Sequence, residues 1–223
     1  MAGSKVNPLL MILTWQPDHD NGANDMVRET YLYVWGHFLE HAFVFDQSRK
    51  HEDLLPDEIR VEAKSGMLET AFKTKEALYR AYDRGYSHVC FAPTDCYIIV
   101  PRILRSLAYH NSVGHDYWGF HSYDEHHIGG GSAYWLSRRA IEAVLAYDVA
   151  SDYEDRWVGS ACRAAGILAI HDHLYRSIEQ PYMANAVTVH LSESTGTYDP
   201  LVMQNLHMRV IEGAVYNTDE ATL

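Results

Sequence analysis

Five polar residues stand just beyond short apolar runs: Thr14 after LLMIL, Asp46 after HAFVF, Asp95 three residues past HVCFA, His171 after ILAI and His190 after AVTV. In an open sheet of parallel strands, ligands bind beyond the carboxyl ends of the strands. A polar residue must end any buried strand somewhere, so one alone means little; several together predict a polar cleft along one sheet edge. A carboxylate oxygen from Asp95 with an imidazole from His190 suits Mn²⁺ or a similar divalent cation. Such a cation would neutralise a diphosphate, the leaving group of a nucleotide-sugar. Further along stand an acidic pair, Glu154 and Asp155, and three consecutive glycines, Gly129, Gly130 and Gly131. Read alone, the acids suit the first turn of a helix, where acids favour the dipole. The glycines would let backbone approach a ligand closely, or would form an ordinary loop. They are not a dinucleotide fingerprint, because the G-x-G-x-x-G spacing and its strand–helix context are missing.

The elements that must position these groups read as an α/β domain with a mostly parallel sheet. Apolar runs at 9–14, 41–45, 88–92, 167–170 and 186–189 predict buried strands, and 117–120 a short aromatic one. Helical patterns cover a segment from Asn24 or Asp25, as cap, to Gly36, then 67–82, 98–109, 138–146, 152–165 and 200–210. Residues 16–24 and 47–60 read as exposed loops. The chain has 223 residues, enough to bury a core without staples, and 18 basic against 30 acidic side chains give a net charge of −12. That balance counts against a surface built to grip phosphate backbones. Three cysteines, Cys90, Cys96 and Cys162, make no disulfide framework and no C-x-x-C pair, which fits a reducing compartment. The apolar run at 8–15 is too short to span a membrane. The expectation is a cytoplasmic protein of a bacterial or virus-infected host cell.

Five blocks carry a family resemblance. MILTW with NDMVRETYL, LETAFKTKEAL, HVCFAPTDCYIIV, GGGSAYWLSRRAI and YEDRWVGSACRAAGI resemble, in order, conserved segments of the β1,3-glycosyltransferase superfamily. That superfamily holds the Fringe-type enzymes and the β1,3-galactosyl- and N-acetylglucosaminyltransferases. The chain looks like a compact, anchor-less member, bacterial or from a bacteriophage. The resemblance implies a GT-A-type nucleotide-sugar-binding fold in one catalytic domain over 1–223. About 1–100 would bind the nucleotide, and about 101–223 would hold the acceptor and catalytic parts.

The resemblance also implies roles for residues. Where the family has three aspartates this chain has Pro93, Thr94 and Asp95, so Asp95 would be the metal ligand and Thr94 would face the donor. His190, in AVTVHLS, would be the second ligand, with His173, in IHDHLYR, as runner-up and His171 third. Asp155 of the E-D pair would be the general base of inverting transfer, beside Glu154. Thr14, Arg28, Lys73 and the three glycines would line the donor, with Mn²⁺ or Mg²⁺ as cofactor. The donor would be a UDP-sugar. The acceptor would be a glycan or another hydroxyl-bearing molecule, including a hydroxymethylated base in phage DNA. Tyr117, Trp118, Tyr134 and Trp135 could stack on a sugar or base, or pack the core. Arg102, Arg105, Arg138 and Arg139 could line a basic groove. The loss of two motif aspartates keeps open a catalytically degenerate binding module, and the acid–histidine cluster alone would also fit a metal-dependent hydrolase or nucleotidyltransferase.

Overall fold

The computed structural model describes residues 6–14, 16–66, 69–121, 127–149, 153–177, 185–191 and 199–211. Among them the strands are β1 (Pro8–Leu13), β2 (Glu40–Phe45), β3 (Glu58–Arg60), β4 (His88–Pro93), β5 (Cys96–Ile98), β6 (Tyr117–Gly119), β7 (Tyr134–Ser137), β8 (Ala169–His171), β9 (Tyr175–Ser177) and β10 (Thr188–His190). The helices are α1 (Gln16–Asp20), α2 (Ala23–Val27), α3 (Tyr33–Trp35), α4 (Thr70–Asp83), α5 (Val100–Ser112), α6 (Arg138–Ala146), α7 (Glu154–Ala164) and α8 (Pro200–Ile211). Seven strands form one sheet in the order β3-β2-β1-β4-β7-β6-β8. Its pairings are parallel except those of β7, which runs antiparallel to both β4 and β6. A second sheet, β5-β10-β9, stands beside it. The expected mixed α/β fold with a mostly parallel central sheet flanked by helices is what the chain adopts.

The continuous apolar runs explain the layering. Successive side chains of a strand point to opposite faces, so a strand buried on both sides must be apolar throughout. Leu10, Ile12, Cys90, Ala92, Trp118 and Trp135 pack on one face, against α5, α8, the helix after Gly22 and the small sheet. Leu9, Met11, Val89, Phe91, Tyr134 and Leu136 pack on the other, against α4, α6 and α7. Tyr117, Trp118, Tyr134 and Trp135 are fully buried, so these four rings are core and not a sugar-stacking platform. Burial of each contributes about 2–3 kcal/mol.

Several sequence expectations need correction. Residues 16–24 are not all loop: Gln16–Asp20 is a helical turn. The next helix opens not at Asn24 or Asp25 but after Gly22, whose φ of +82° suits glycine. Asn21 Oδ1 accepts the Ala23 amide there. That helix kinks at Thr30 (φ −104°, ψ −108°), whose hydroxyl donates back to the Met26 carbonyl at 2.6 Å. The charged stretch 47–60 holds strand β3 and a buried ion pair, Arg49 to Glu58 at 3.2 Å. The four arginines share no groove: Arg102 and Arg105 sit on α5 and Arg138 and Arg139 on α6, at opposite faces of the sheet. Among the described residues no helix is long and apolar enough to cross a membrane.

Candidate active site

The carboxyl ends of β1 and β2 meet at Lys73 of α4. Its ammonium donates to the Thr14 carbonyl at 2.6 Å and lies 3.2 Å from Asp46 Oδ2, both buried. Burial lowers the Lys73 pKa; the charge of Asp46, then of Asp18 and Glu154, opposes the shift. Lys73 thus ties two strand ends together, and three carboxylates face it. Thr14 turns its hydroxyl to Asn24 Oδ1 at 2.8 Å, and Thr94 donates to Asp18 Oδ2 at 2.9 Å. Asp18 and Asn24, which sequence reasoning overlooked, therefore belong to this wall. Asp18 brings a carboxylate beside Thr94. No periodicity marks it, because α1 is too short to show any.

Sheet register brings Asp95 and His190 together. β5 and β10 pair antiparallel, with His190 opposite Cys96. The Leu191 amide then donates to the Asp95 carbonyl at 2.8 Å, and His190 Nε2 comes to 3.2 Å from Asp95 Oδ2. Two ligands bonded at 2.0–2.2 Å and 90° to one octahedral cation stand about 3 Å apart. An oxygen–imidazole pair at 3.2 Å fits a hard divalent ion on that measure. Among the described residues no group of three His, Cys, Asp or Glu stands at ligating spacing. The rest of a coordination shell would come from water and phosphate oxygens, as Mg²⁺-type ions prefer.

The glycine turn separates this pair from the acidic pair. A Cβ on Gly131 would lie 2.8 Å from His190 Cε1 and 3.0 Å from both ring nitrogens. A Cβ on Gly130 would lie 2.1 Å from Glu154 Oε1. The Gly130 amide donates to Asp155 Oδ2 at 3.4 Å. The turn passes into β7 through Ala133, buried at φ +67°, a conformation costing about 1 kcal/mol or more for a residue with a Cβ. Glu154 and Asp155 open α7, where the helix N-terminus favours negative charge. Burial, then the neighbouring Asp155 charge, still push the Glu154 carboxyl up to about 7. The Asp95–His190 pair and the Glu154–Asp155 pair thus flank one backbone turn.

Other expected residues lie elsewhere. Arg28 points to the β3 edge: its guanidinium bonds Asp57 (2.9 and 3.1 Å) and Glu58 (2.8 Å) and stacks 4.2 Å over the Phe43 ring. Its charged end is committed there to Asp57 and Glu58. His173 precedes β9, at the end of the small sheet opposite His190. The parallel register sets Ser177 beside His190, so His173 is displaced by four residues, about 13 Å of strand. His171 is exposed and accepts the His121 amide at 3.1 Å. Neither histidine joins Asp95.

No protein-family model matches the chain, and no curated protein matches it. A solved glycosyltransferase involved in the glycosylation of the major capsid of PBCV-1 superposes on 90% of this chain and 100% of its own, with a TM-score of 0.55 and 12% identity. The fold is GT-A. A looser likeness covers 75% of this chain and 80% of a protein from Desulfovibrio desulfuricans described as a nucleotide-diphospho-sugar transferase, at 14% identity and a TM-score of 0.44. At these identities the likeness is one of fold. Asp95 follows β4, His190 ends β10, and Glu154 and Asp155 open α7.

Proposed function

We propose that this protein is a metal-dependent inverting glycosyltransferase of the β1,3-glycosyltransferase type, moving a sugar from a UDP-sugar to an acceptor hydroxyl. The observation that carries the reading is the turn Gly130–Gly131, with the Asp95–His190 pair against one glycine and Glu154–Asp155 against the other. Inverting transfer needs this layout: charge neutralisation on the leaving side and a proton acceptor on the other. A divalent cation, Mn²⁺ or Mg²⁺, held by Asp95 and His190 would supply positive charge for the departing diphosphate. Asp155 takes the proton of the acceptor hydroxyl as its oxygen bonds to the anomeric carbon. The bond from that carbon to the UDP oxygen breaks, and UDP leaves with the electron pair. Lys73 keeps the ends of β1 and β2 in register behind the nucleotide, a positioning role and not a phosphate contact.

The second reading, a binding module without turnover, is favoured by Pro93 and Thr94 in place of two carboxylates, since Thr94 commits its hydroxyl to Asp18. One experiment separates the two. Wild type and Asp155→Asn are incubated with a panel of UDP-sugars and Mn²⁺, with EDTA as control, and both UDP binding and UDP release are followed. The transferase reading expects metal-dependent release, reduced about 10²–10⁴-fold by Asp155→Asn with binding retained. Binding without release in wild type selects the module, and neither binding nor release removes both.

A further inference from the structure

A groove of about 720 Å³ runs between α4 and α6, on the face of the sheet away from α5. On α4, Ala71, Thr74, Ala77, Leu78 and Ala81 are buried, the inward stripe of an amphipathic helix. The outward side of such a helix is ordinarily polar, yet Phe72 and Tyr79 stand there 49% and 62% exposed and line the groove. Seven residues apart, they lie two turns from one another on one face, about 10 Å along the axis. Ala63 and Leu145 add an apolar floor. Exposed apolar surface gathered in one place marks a binding face.

The charged groups along the rim are matched. Glu62 pairs with Arg60. Glu76 Oε1 accepts from Arg80 Nη2 at 2.8 Å, and its Oε2 from the Glu62 amide at 2.6 Å. Glu142 Oε1 accepts from the Tyr82 hydroxyl at 3.2 Å and lies 3.8 Å from Arg138 Nε. The Arg138 guanidinium covers the Tyr82 ring at 3.9 Å, so Tyr82 belongs to the wall and offers no free platform there. Lys75 donates to the Tyr147 carbonyl at 3.2 Å. With cations and carboxylates in balance, the groove has no strong local field to draw either a cationic peptide or an anion. A carboxylate nevertheless has about four lone-pair sites, so the three glutamates keep capacity for neutral hydroxyl donors.

We infer that this groove binds an uncharged oligosaccharide, one pyranose ring against Phe72 and another against Tyr79, with hydroxyls reaching Glu62, Glu76 and Glu142. A pyranose presents apolar C–H faces and a rim of hydroxyls. Aromatic rings give those faces contact area at little entropic cost, and hydrogen bonds from hydroxyls to carboxylates are stronger than those to neutral acceptors. An apolar peptide would use the rings and leave the glutamates idle; a sugar chain uses both. The volume falls within the ~300–1,000 Å³ typical of small-molecule sites. Asp95, His190, Glu154 and Asp155 are not among the residues that line the groove. The assignment therefore stands apart from the transfer reading and survives its failure.

The test is amide chemical-shift mapping of wild type, Tyr79→Ala and Tyr79→Phe. Each is titrated with maltotetraose, cellotetraose, laminaritetraose and chitotetraose, and with glucose and tetralysine for comparison. Tyr79 is exposed, so both substitutions leave the buried side of α4 untouched. The expected result is saturable binding of at least one tetrasaccharide, with shifts clustered at residues 62–63, 72–82 and 142–146, and weaker binding of glucose. Affinity should fall about tenfold or more in Tyr79→Ala and be largely restored in Tyr79→Phe, which keeps the ring. Shifts centred on 93–95 and 129–131 would move the sugar to the candidate active site and overturn the assignment. So would an unchanged affinity in Tyr79→Ala, or no saturable binding of any tetrasaccharide. Saturable binding of tetralysine at 62–82 would give the groove to a cationic peptide instead.

Discussion

Glu154→Gln isolates one electrostatic cost of the candidate active site. The folded chain holds the Glu154 carboxyl at about 7, raised from 4.5 by burial and by Asp155. A carboxyl whose pKa is higher folded than unfolded binds its proton more tightly in the native state. Stability then falls as pH rises from 4.5 to about 7, and stays lower above that range. The full shift would correspond to roughly 3 kcal/mol; with partial solvent screening we expect about 1–3 kcal/mol. Glutamine keeps the shape but cannot ionise. Any hydrogen bonds that the substituted amide fails to make are lost equally at every pH, so they cancel when two pH values are compared. Urea unfolding of both proteins at pH 5 and pH 8, at constant m, gives that double difference. Glu154→Gln should gain about 1–3 kcal/mol on wild type between the two. An identical difference at pH 5 and pH 8 would mean that the carboxylate is solvated and suffers no burial penalty, and would remove Glu154 from the argument.

Two further substitutions test the neighbouring assignments. Gly131→Ala drives a methyl into the His190 ring, 2.8–3.0 Å from three of its atoms. It should weaken Mn²⁺ binding in the presence of UDP about 10–100-fold, as expected for a displaced ligand support, when followed by electron paramagnetic resonance; unchanged affinity would take His190 out of the metal site. Arg28→Ala leaves Asp57 and Glu58 without their guanidinium and uncovers Phe43. It should cost about 1–3 kcal/mol in urea unfolding, less than a fully broken buried pair because Arg49 still reaches Glu58. UDP affinity should not change, and a large loss of affinity would return Arg28 to the donor wall.

Local pattern made much of the frame legible. The stretches 9–13, 42–45 and 89–92 within β1, β2 and β4 are apolar at every position because both faces of the sheet are covered, and that continuity is visible without any partner. Helix α6 spans the expected 138–146, starting where the Ser137 hydroxyl accepts the Ala140 amide. Strands β3, β5 and β9 were not legible. Each has three residues, too few for a period, and β5 exists through pairing with β10, a strand distant in the sequence.

The same division runs through the site. Residue type and order singled out Asp95, His190, Glu154, Asp155 and the three glycines, because chemistry is written in side-chain identity. Identity does not say which partner a charge will find. Arg28 and Lys73 read alike as residues that would line the donor, yet folding commits one to the β3 edge and the other to joining two strand ends. Three histidines competed for one role, and only the β5–β10 register, pairing residues 95 positions apart, set His190 beside Asp95 and left His171 and His173 around another cavity. Proximity between distant segments is a property of packing, and the chain acquires it only when the two sheets form.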